Sequence, residues 1–327
     1  MPVDAEDFIA SFDRQERALV VINNWRSSHN FPLNTFQNGL RQRAKQVDSK
    51  GLVAQRIKRL ASIKAKLERF PTIRLSQMQD IGGCRAVVSS VSNVIRLVDA
   101  YKASELKHKQ VRFDDYIKNP KRSGYRGVHL IYRYYSDRKK TYNSLQVEIQ
   151  LRSTLQHAWA TAVETVGTFT RQALKSSQGE TEWLRFFALM GTAIAAREDC
   201  NPVPDTPTTK DELKSELVDY VRKLDVEGHL TAYGQALSVL EKATANEHYY
   251  LLELDPVAKV TKVTGYAANQ YERAASDYLE TEKNIQKGQN ADAVLVSVDS
   301  LSSLRRAYPN YFLDTHLFID AVRQAVK

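Results

Sequence analysis

The sequence predicts an α+β chain, a mixed β-sheet flanked by helices and followed by a small C-terminal α/β domain. Three observations carry that expectation. Segments with strand periodicity alternate with helical ones through the first two hundred of 327 residues, three prolines interrupt the pattern between Asn201 and Glu212, and helices and strands resume beyond them. With 43% apolar residues the chain can bury a real core, and its length fits one large or two modest domains.

Taken in order, residues 3–24 place Phe8, Ile9, Phe12, Leu19, Val20 and Ile22 at the spacing of an amphipathic helix. A second helical pattern spans Leu40 to Phe70. There Ile57, Leu60, Ile63 and Leu67 share one side, leaving Arg56, Lys58, Lys66 and Arg69 to the others. Pro71 ends it. MQDIGGCRAVVSSV then reads as a turn into a buried strand, with a helix over Val91 to Lys102. Strands are expected again at Gly127–Tyr135 and Ser144–Leu151, followed by two helical stretches, LRSTLQHAWATAVETVGTFTRQAL and EWLRFFALMGTAIAARE. NPVPDTPTTKDE is a linker or extended connection. One or two helices from Leu213 to Ala245, the strands YYLLELD and KVTKVTGY, a helix from Ala267 to Gln286, the strand ADAVLVSV and a final helical stretch complete the chain.

Charge and composition narrow the function classes. Lys and Arg number 47 against 38 Asp and Glu, giving a formal net charge of +9 and a pI near 9.3, with the excess mainly between Arg41 and Lys140. Polyanions are the natural partners, and Arg41, Arg43 and Lys45 form either an RNA-binding patch or a solvated helix face. The N-terminal stretch carries charges throughout, and no apolar run is long enough to cross a bilayer, so a cytoplasmic protein without a membrane partner is expected. Cys84 and Cys200 lie far apart with no CxxC or Cys/His cluster, which argues against a disulfide framework or a structural zinc.

The densest chemistry lies between Asp114 and Arg152. Transfer of a phosphoryl or pyrophosphoryl group needs cations around the phosphates, carboxylates for a divalent metal, and a group that receives the acceptor proton. Asp80 precedes the apolar AVV run, where a strand terminus aims its carboxylate. Glu148 alternates with Val147, Ile149 and Leu151, so it leaves the sheet on the other side from them. Each also has an ordinary explanation, Asp80 as a turn residue and Glu148 as a solvent-facing strand position. In NPKRSGYRG, cationic donors surround a glycine, and Tyr125 offers a ring for a nucleobase or simply packs. His129 and His157 are acid–base candidates or structural residues. GxxxxGK[ST], GxSxG and HExxH are absent.

At these residues the sequence resembles the RelA/SpoT synthetase family. DYIKNPKRSGYRGVHL followed by VEIQLRSTLQHAW is similar to that family's DYI.NPK.NGY.S.H and EIQIRT...H blocks. QRIKRLASIKAKL resembles its R.K...SI..K segment, and DIGGCRAVV its D..G.R motif. The four blocks cover roughly residues 50–165. The resemblance implies a nucleotidyltransferase-like synthetase fold and an ATP-dependent pyrophosphokinase that moves the β,γ-pyrophosphate of ATP to a ribose 3′-hydroxyl and releases AMP. It makes Arg56, Lys58 and Lys66 ATP-binding residues. It makes Asp80 and Glu148 the Mg²⁺ carboxylates, with Glu148 also activating the hydroxyl, and Tyr125 the ring that stacks on the acceptor base. Lys118, Lys121, Arg126, His129, Gln150 and Arg152 match supporting acceptor and phosphate positions. With no HD pair near the N-terminus, alarmone hydrolysis is not expected.

Acceptors in the family are GDP, GTP, adenine nucleotides or, in toxic small members, the 3′-CCA end of tRNA, the acceptor expected here. SGYRGVH departs from NGY.S.H, and LQHAWATAVE follows the pattern of small members. The alternatives are an alarmone synthetase acting on free nucleotides and an inactive RNA-binding module. The C-terminal Tyr308 and Tyr311 form a YxxY arrangement. This layout resembles fused toxin–antitoxin members, whose C-terminal pseudo-zinc-finger domain blocks the ATP site until a phage structural protein such as the major capsid protein binds. The expected organisation is therefore a pyrophosphokinase domain at 1–200, a linker with connecting helices at 201–245, and a regulatory domain at 246–327.

Overall fold

A computed structural model describes residues 5–58, 60–173, 180–240, 247–255, 260–285, 292–297 and 311–327. The chain divides into two compact units, one made of Met1–Tyr116 with Gly127–Ser153, the other of Ile117–Arg126 with Thr154–Lys327.

The first unit holds α1 (Ala5–Ser28), α2 (Asn30–Val47), β1 (Leu52–Ile57), α3 (Leu60–Arg69), β2 (Gly82–Val88), α4 (Val91–Lys102), β3 (Lys109–Asp115), β4 (Val128–Arg133) and β5 (Gln146–Ser153). Its five strands form one mixed sheet in the order β1-β2-β5-β4-β3, parallel at β2/β5 and antiparallel elsewhere. The mixed sheet flanked by helices is thus present as the sequence predicts.

Period-two alternation gives this sheet two unlike faces. Cys84, Ala86, Val88, Val147, Ile149 and Leu151 are buried, and α2 and α4 supply Leu33, Phe36, Leu40, Val94 and Leu97 to the same core. Burying each of these valine, leucine, isoleucine and phenylalanine side chains contributes about 1.5–3 kcal/mol. The opposite face carries the polar residues in two cross-strand rows. Arg56, Gly83, Glu148, Ile131 and Arg112 lie in one, and Ala54, Arg85, Gln150, His129 and Asp114 in the next.

Helix α4 spans the expected residues. Ser90 caps it by accepting from Asn93 N, and Val94, Leu97, Val98 and Tyr101 recur at helical spacing on its buried side. The expected helix from Leu40 to Phe70 is corrected to helix, strand, helix. Asp48 leaves the helical region at φ −149° and ψ 110°, and its carboxylate accepts from Lys50 N and Ser89 N. Asp-Ser-Lys-Gly then turns the chain into β1, which pairs with β2. Arg56 is therefore a strand residue. Strand β3 was not expected. It is an exposed edge with a register shift between Gln110 and Arg112, which breaks the alternation that betrays a strand.

The second unit contains α5 (Thr154–Ala173), α6 (Glu180–Arg197), α7 (Lys210–Lys223), α8 (Val226–Leu240), β6 (Glu247–Asp255), β7 (Val260–Ala267), α9 (Tyr271–Ile285), β8 (Asp292–Ser297) and α10 (Tyr311–Ala325). Trp159, Trp183, Phe186, Phe187, Leu230, Tyr233 and Phe318 build its helical core. A three-stranded antiparallel sheet, β7-β6-β8, packs Leu251, Tyr266 and Ala293 against Ala274 of α9. The proline-rich stretch is irregular, as expected, and fastened to α6: Thr192 Oγ1 accepts from Val203 N at 2.9 Å and lies 2.6 Å from Thr206 Oγ1. Among the described residues, no helix is long and apolar enough to cross a membrane.

Candidate active site

Asp80 stands two residues before β2, and two lysines from sequence-distant elements close on it. Lys58 follows β1, its backbone N–H donating to Ile81 O at 2.7 Å, which fixes its Cα beside the start of β2. Its Nζ donates to Asp80 Oδ2 at 2.7 Å. Lys66 reaches Oδ1 at 3.0 Å from α3, whose Ile63, one turn earlier, is buried against Met78 and Ile81. Burial pushes the Asp80 carboxyl upward, but Lys58 first and then Lys66 outweigh it and hold it below the usual carboxylate range.

Glu148 projects from the middle of β5 on the polar face. His129 Nδ1–H donates to its Oε1 at 2.8 Å and Gln150 Nε2 to its Oε2 at 2.8 Å. Burial again pushes this carboxyl up, the nearby Asp80 charge adds to that, and the His129 and Gln150 bonds prevail, leaving it below the usual range. Gln150 is itself held, because its Oε1 accepts from Arg85 Nε at 3.3 Å and Arg152 Nη2 at 3.2 Å. With two guanidinium donors on its oxygen, the amide must turn its NH₂ toward Glu148. Tyr116 meets the His129 ring edge-on, centroids 5.2 Å apart.

The first unit therefore brings Lys58, Lys66 and Asp80 together, and Glu148, His129, Gln150 and Arg152 likewise. Arg56 is exposed in the same cross-strand row as Glu148. Arg85 is the arginine of the D..G.R motif, but the sequence reading gave it no role. Its signal was available, since it lies two residues after Gly83 on β2 and so shares that glycine's face.

Lys118, Lys121, Tyr125 and Arg126 belong to the Ile117–Arg126 segment of the second unit. Gly124, at φ +93°, explains the glycine of this loop. A Cβ there would stand 2.6 Å from Phe187 O and 2.9 Å from the Trp159 ring, so the backbone lies directly on α6 and α5. Half-buried Tyr125 packs edge-on to Trp159 at 6.3 Å, with the Lys121 ammonium 5.2 Å from its centroid. Arg126 is buried and donates to Asn201 O, while Asn201 Nδ2 donates to Lys118 O at 2.7 Å. Tyr308 and the Tyr311 side chain lie outside the described residues; the Tyr311 backbone opens α10.

Among the described residues no group of three or more His, Cys, Asp or Glu side chains is placed to hold a metal. Asp80 and Glu148, two hard carboxylates that feel each other's charge, instead fit the way Mg²⁺ binds, through one or two carboxylates completed by substrate phosphates. Cys84 is buried, and desolvation pushes its thiol up, so it is an unreactive core residue.

A lysine-clasped carboxylate at a strand entrance and a second carboxylate on the neighbouring strand define a class of site suited to polyphosphate chemistry. Residues 55–169 match the protein family described as the region found in RelA/SpoT proteins, and that span includes every residue of both clusters. Over 111 residues the chain is 34% identical to GTP pyrophosphokinase YjbM of Bacillus subtilis, covering 33% of this chain and 52% of that protein. Over 110 residues it is 32% identical to GTP pyrophosphokinase YwaC of the same organism, covering 32% and 52%. The chain thus spans about half the length of the curated relatives it matches. Among solved structures, small alarmone synthetase 1 from Bacillus subtilis bound to its product pppGpp aligns at 24% identity and TM-score 0.45, over 57% of this chain and 94% of that one. A GTP pyrophosphokinase family protein from Streptococcus pneumoniae aligns at 23% and 0.45, over 54% and 89%.

Proposed function

We propose that this protein is a pyrophosphokinase of the RelA/SpoT type, transferring the β,γ-pyrophosphate of ATP to a ribose 3′-hydroxyl. The observation that carries the reading is the pairing of lysine-clasped Asp80, at the entrance to β2, with His129-held Glu148 on the neighbouring β5, inside the matched span. Lys58 and Lys66 bind the triphosphate, and Arg56 takes the adenine side. Glu148, held ionised by His129 and Gln150, accepts the proton as the acceptor oxygen bonds to the β-phosphorus and the bond bridging the α- and β-phosphates breaks, so that AMP leaves. Asp80 and Glu148 hold Mg²⁺, which when bound offsets phosphate charge. Arg85 and Arg152 orient Gln150. Tyr125, with Lys121 over its ring, supplies a stacking face for the acceptor base.

The acceptor is the 3′-CCA end of tRNA, a reading supported by the net charge of +9. A free guanine nucleotide is the second reading, favoured by the names of the two curated relatives. In the first case the protein blocks translation in anti-phage defence. It then resembles the fused toxin–antitoxin protein CapRel, with the C-terminal region and its Tyr308 and Tyr311 holding activity off until a phage structural protein binds.

The deciding experiment incubates the purified full chain and its Asp80→Ala variant with γ-labelled ATP and, separately, tRNA, GDP, GTP or ADP. Asp80-dependent label in tRNA is the expected result. Asp80-dependent label in a nucleotide moves the assignment to an alarmone synthetase. No transfer to any acceptor, with toxicity retained by Asp80→Ala, overturns the enzymatic reading in favour of RNA binding alone.

A further inference from the structure

In the structure both oxygens of Asp80 are already taken by cations. Lys58 Nζ lies 2.7 Å from Oδ2 and Lys66 Nζ 3.0 Å from Oδ1, and the three side chains are only 15%, 32% and 26% exposed, in the order Lys58, Lys66 and Asp80. Glu148 is similarly engaged, one oxygen by His129 and the other by Gln150. A divalent ion arriving alone would therefore meet two ammonium groups at contact distance from its best ligand. At such separations, away from bulk water, charge repulsion dominates ion placement.

We infer that Lys58 and Lys66 are resident counter-ions of Asp80 which a polyphosphate draws away, so that a divalent cation and a polyphosphate chain bind this site as a coupled pair. The inference rests on the pyrophosphokinase reading for the identity of the natural polyphosphate. The clasp itself is geometric and independent of it. The exchange conserves charge neatly: each lysine trades one carboxylate oxygen for phosphate oxygens, and the cation takes the place they leave on Asp80. The two lysines are not equivalent. Lys58 has its backbone held by its bond to Ile81 O and by Arg26 Nε donating to Lys58 O at 2.9 Å, so only its side chain shifts as the ammonium exchanges. Lys66 rides on α3 with the more exposed side chain and is the lysine that swings. Because the driving force is phosphate charge alone, neither base nor ribose is required. By reciprocity the cation tightens polyphosphate binding by the same factor that polyphosphate tightens the cation.

The test uses Mn²⁺, whose free ion is counted by electron paramagnetic resonance, with the full chain and no turnover. Mn²⁺ is titrated alone, with inorganic tripolyphosphate, and with α,β-methylene ATP, whose α–β bridge cannot be cleaved. Asp80→Ala provides the baseline, and tripolyphosphate titrated without metal provides the reciprocal arm. The expected wild-type result is no Asp80-dependent Mn²⁺ binding alone and clear binding with tripolyphosphate, a coupling on the order of 5- to 150-fold. Lys66→Gln, on the more exposed lysine, and Lys58→Met with Lys66→Gln should bind Mn²⁺ without any polyphosphate, the double variant more tightly. Thermal melting verifies that each variant is folded, and the single variant suffices should the double not be.

Wild type that binds Mn²⁺ through Asp80 equally well with and without tripolyphosphate overturns the inference. So do folded lysine variants that gain no Mn²⁺ affinity. Failure of the pyrophosphokinase reading looks different: α,β-methylene ATP would add nothing beyond tripolyphosphate and no acceptor would be labelled, while the tripolyphosphate and lysine arms still decide the clasp.

Discussion

His129→Phe isolates a single hydrogen bond at the centre of the site. Phenylalanine keeps an aromatic ring against Tyr116, where the centroids are 5.2 Å apart, and removes the Nδ1 donor 2.8 Å from Glu148 Oε1. The Glu148 side chain is 13% exposed, so water restores little of what is lost. A hydrogen bond to a charged group contributes about 1.5–3 kcal/mol. Gln150 still holds the other oxygen at 2.8 Å, which keeps the carboxylate tolerable in place and puts the expected loss of stability in that same range, about 1.5–3 kcal/mol at neutral pH. The pH dependence has a definite sign. The Glu148 carboxyl lies below its ordinary value in the folded protein, so its stabilisation is complete above the unfolded carboxyl's titration and fades as pH falls through the folded one. In the variant the depression is smaller. The stability gap between the two proteins should therefore narrow as acid protonates Glu148 in both, and the acid limb of any transfer activity should move to higher pH. Urea unfolding across a pH series measures the gap. One that stays constant with pH, or is under about 0.5 kcal/mol at neutral pH, would refute the reasoning.

Gly124→Ala should destabilise the protein by about 2–5 kcal/mol, combining a strained positive φ with overpacking against Phe187 O and Trp159, and hydrogen exchange should speed up in residues 117–126 before the rest. Leu40→Ala, at a position with no exposure beneath the sheet, should cost about 2–5 kcal/mol in chemical denaturation, with the midpoint moved and the slope retained. Tyr308→Ala combined with Tyr311→Ala should give a constitutively active and toxic protein; unchanged growth and unchanged pyrophosphate transfer in that double variant would remove the regulatory role of the pair.

Helix α4 and strand β5 were legible because each satisfies its own period without competition: Val94, Leu97, Val98 and Tyr101 on one, Val147, Ile149 and Leu151 on the other. Strand β1 was not. Arg56 and Ile57 adjoin a true helix whose apolar spacing extends backwards through them, and only the Asp48 turn, held by Ser89 from across the fold, breaks the run. A local pattern cannot see a partner 41 residues away. The same limit governs the site. Glu148 could be placed on the polar face from alternation alone, yet the two lysines that clasp Asp80 stand 22 and 14 residues from it, spacings that no periodicity joins. Their association came from the resemblance of the four blocks. Arg85 stood in the D..G.R motif, but its hold on Gln150 needs a neighbouring strand 65 residues away, which no local pattern shows.

The seating of Gly124 on α6 has a consequence for how the molecule comes off the ribosome. Strands β3 and β4 can pair as soon as residue 133 is free, but the backbone that the intervening loop rests on, at Phe187, is made roughly sixty residues after Gly124. At translation rates of about 5–20 residues per second, the loop waits roughly 3–12 s for its support. Strand β5, with Glu148, is complete at residue 153, within that interval, whereas the basic loop that carries Tyr125 still lacks the Phe187 backbone. The order of synthesis thus puts the carboxylates in place first and the aromatic loop last, a delay written into the protein by one glycine and the helix it touches.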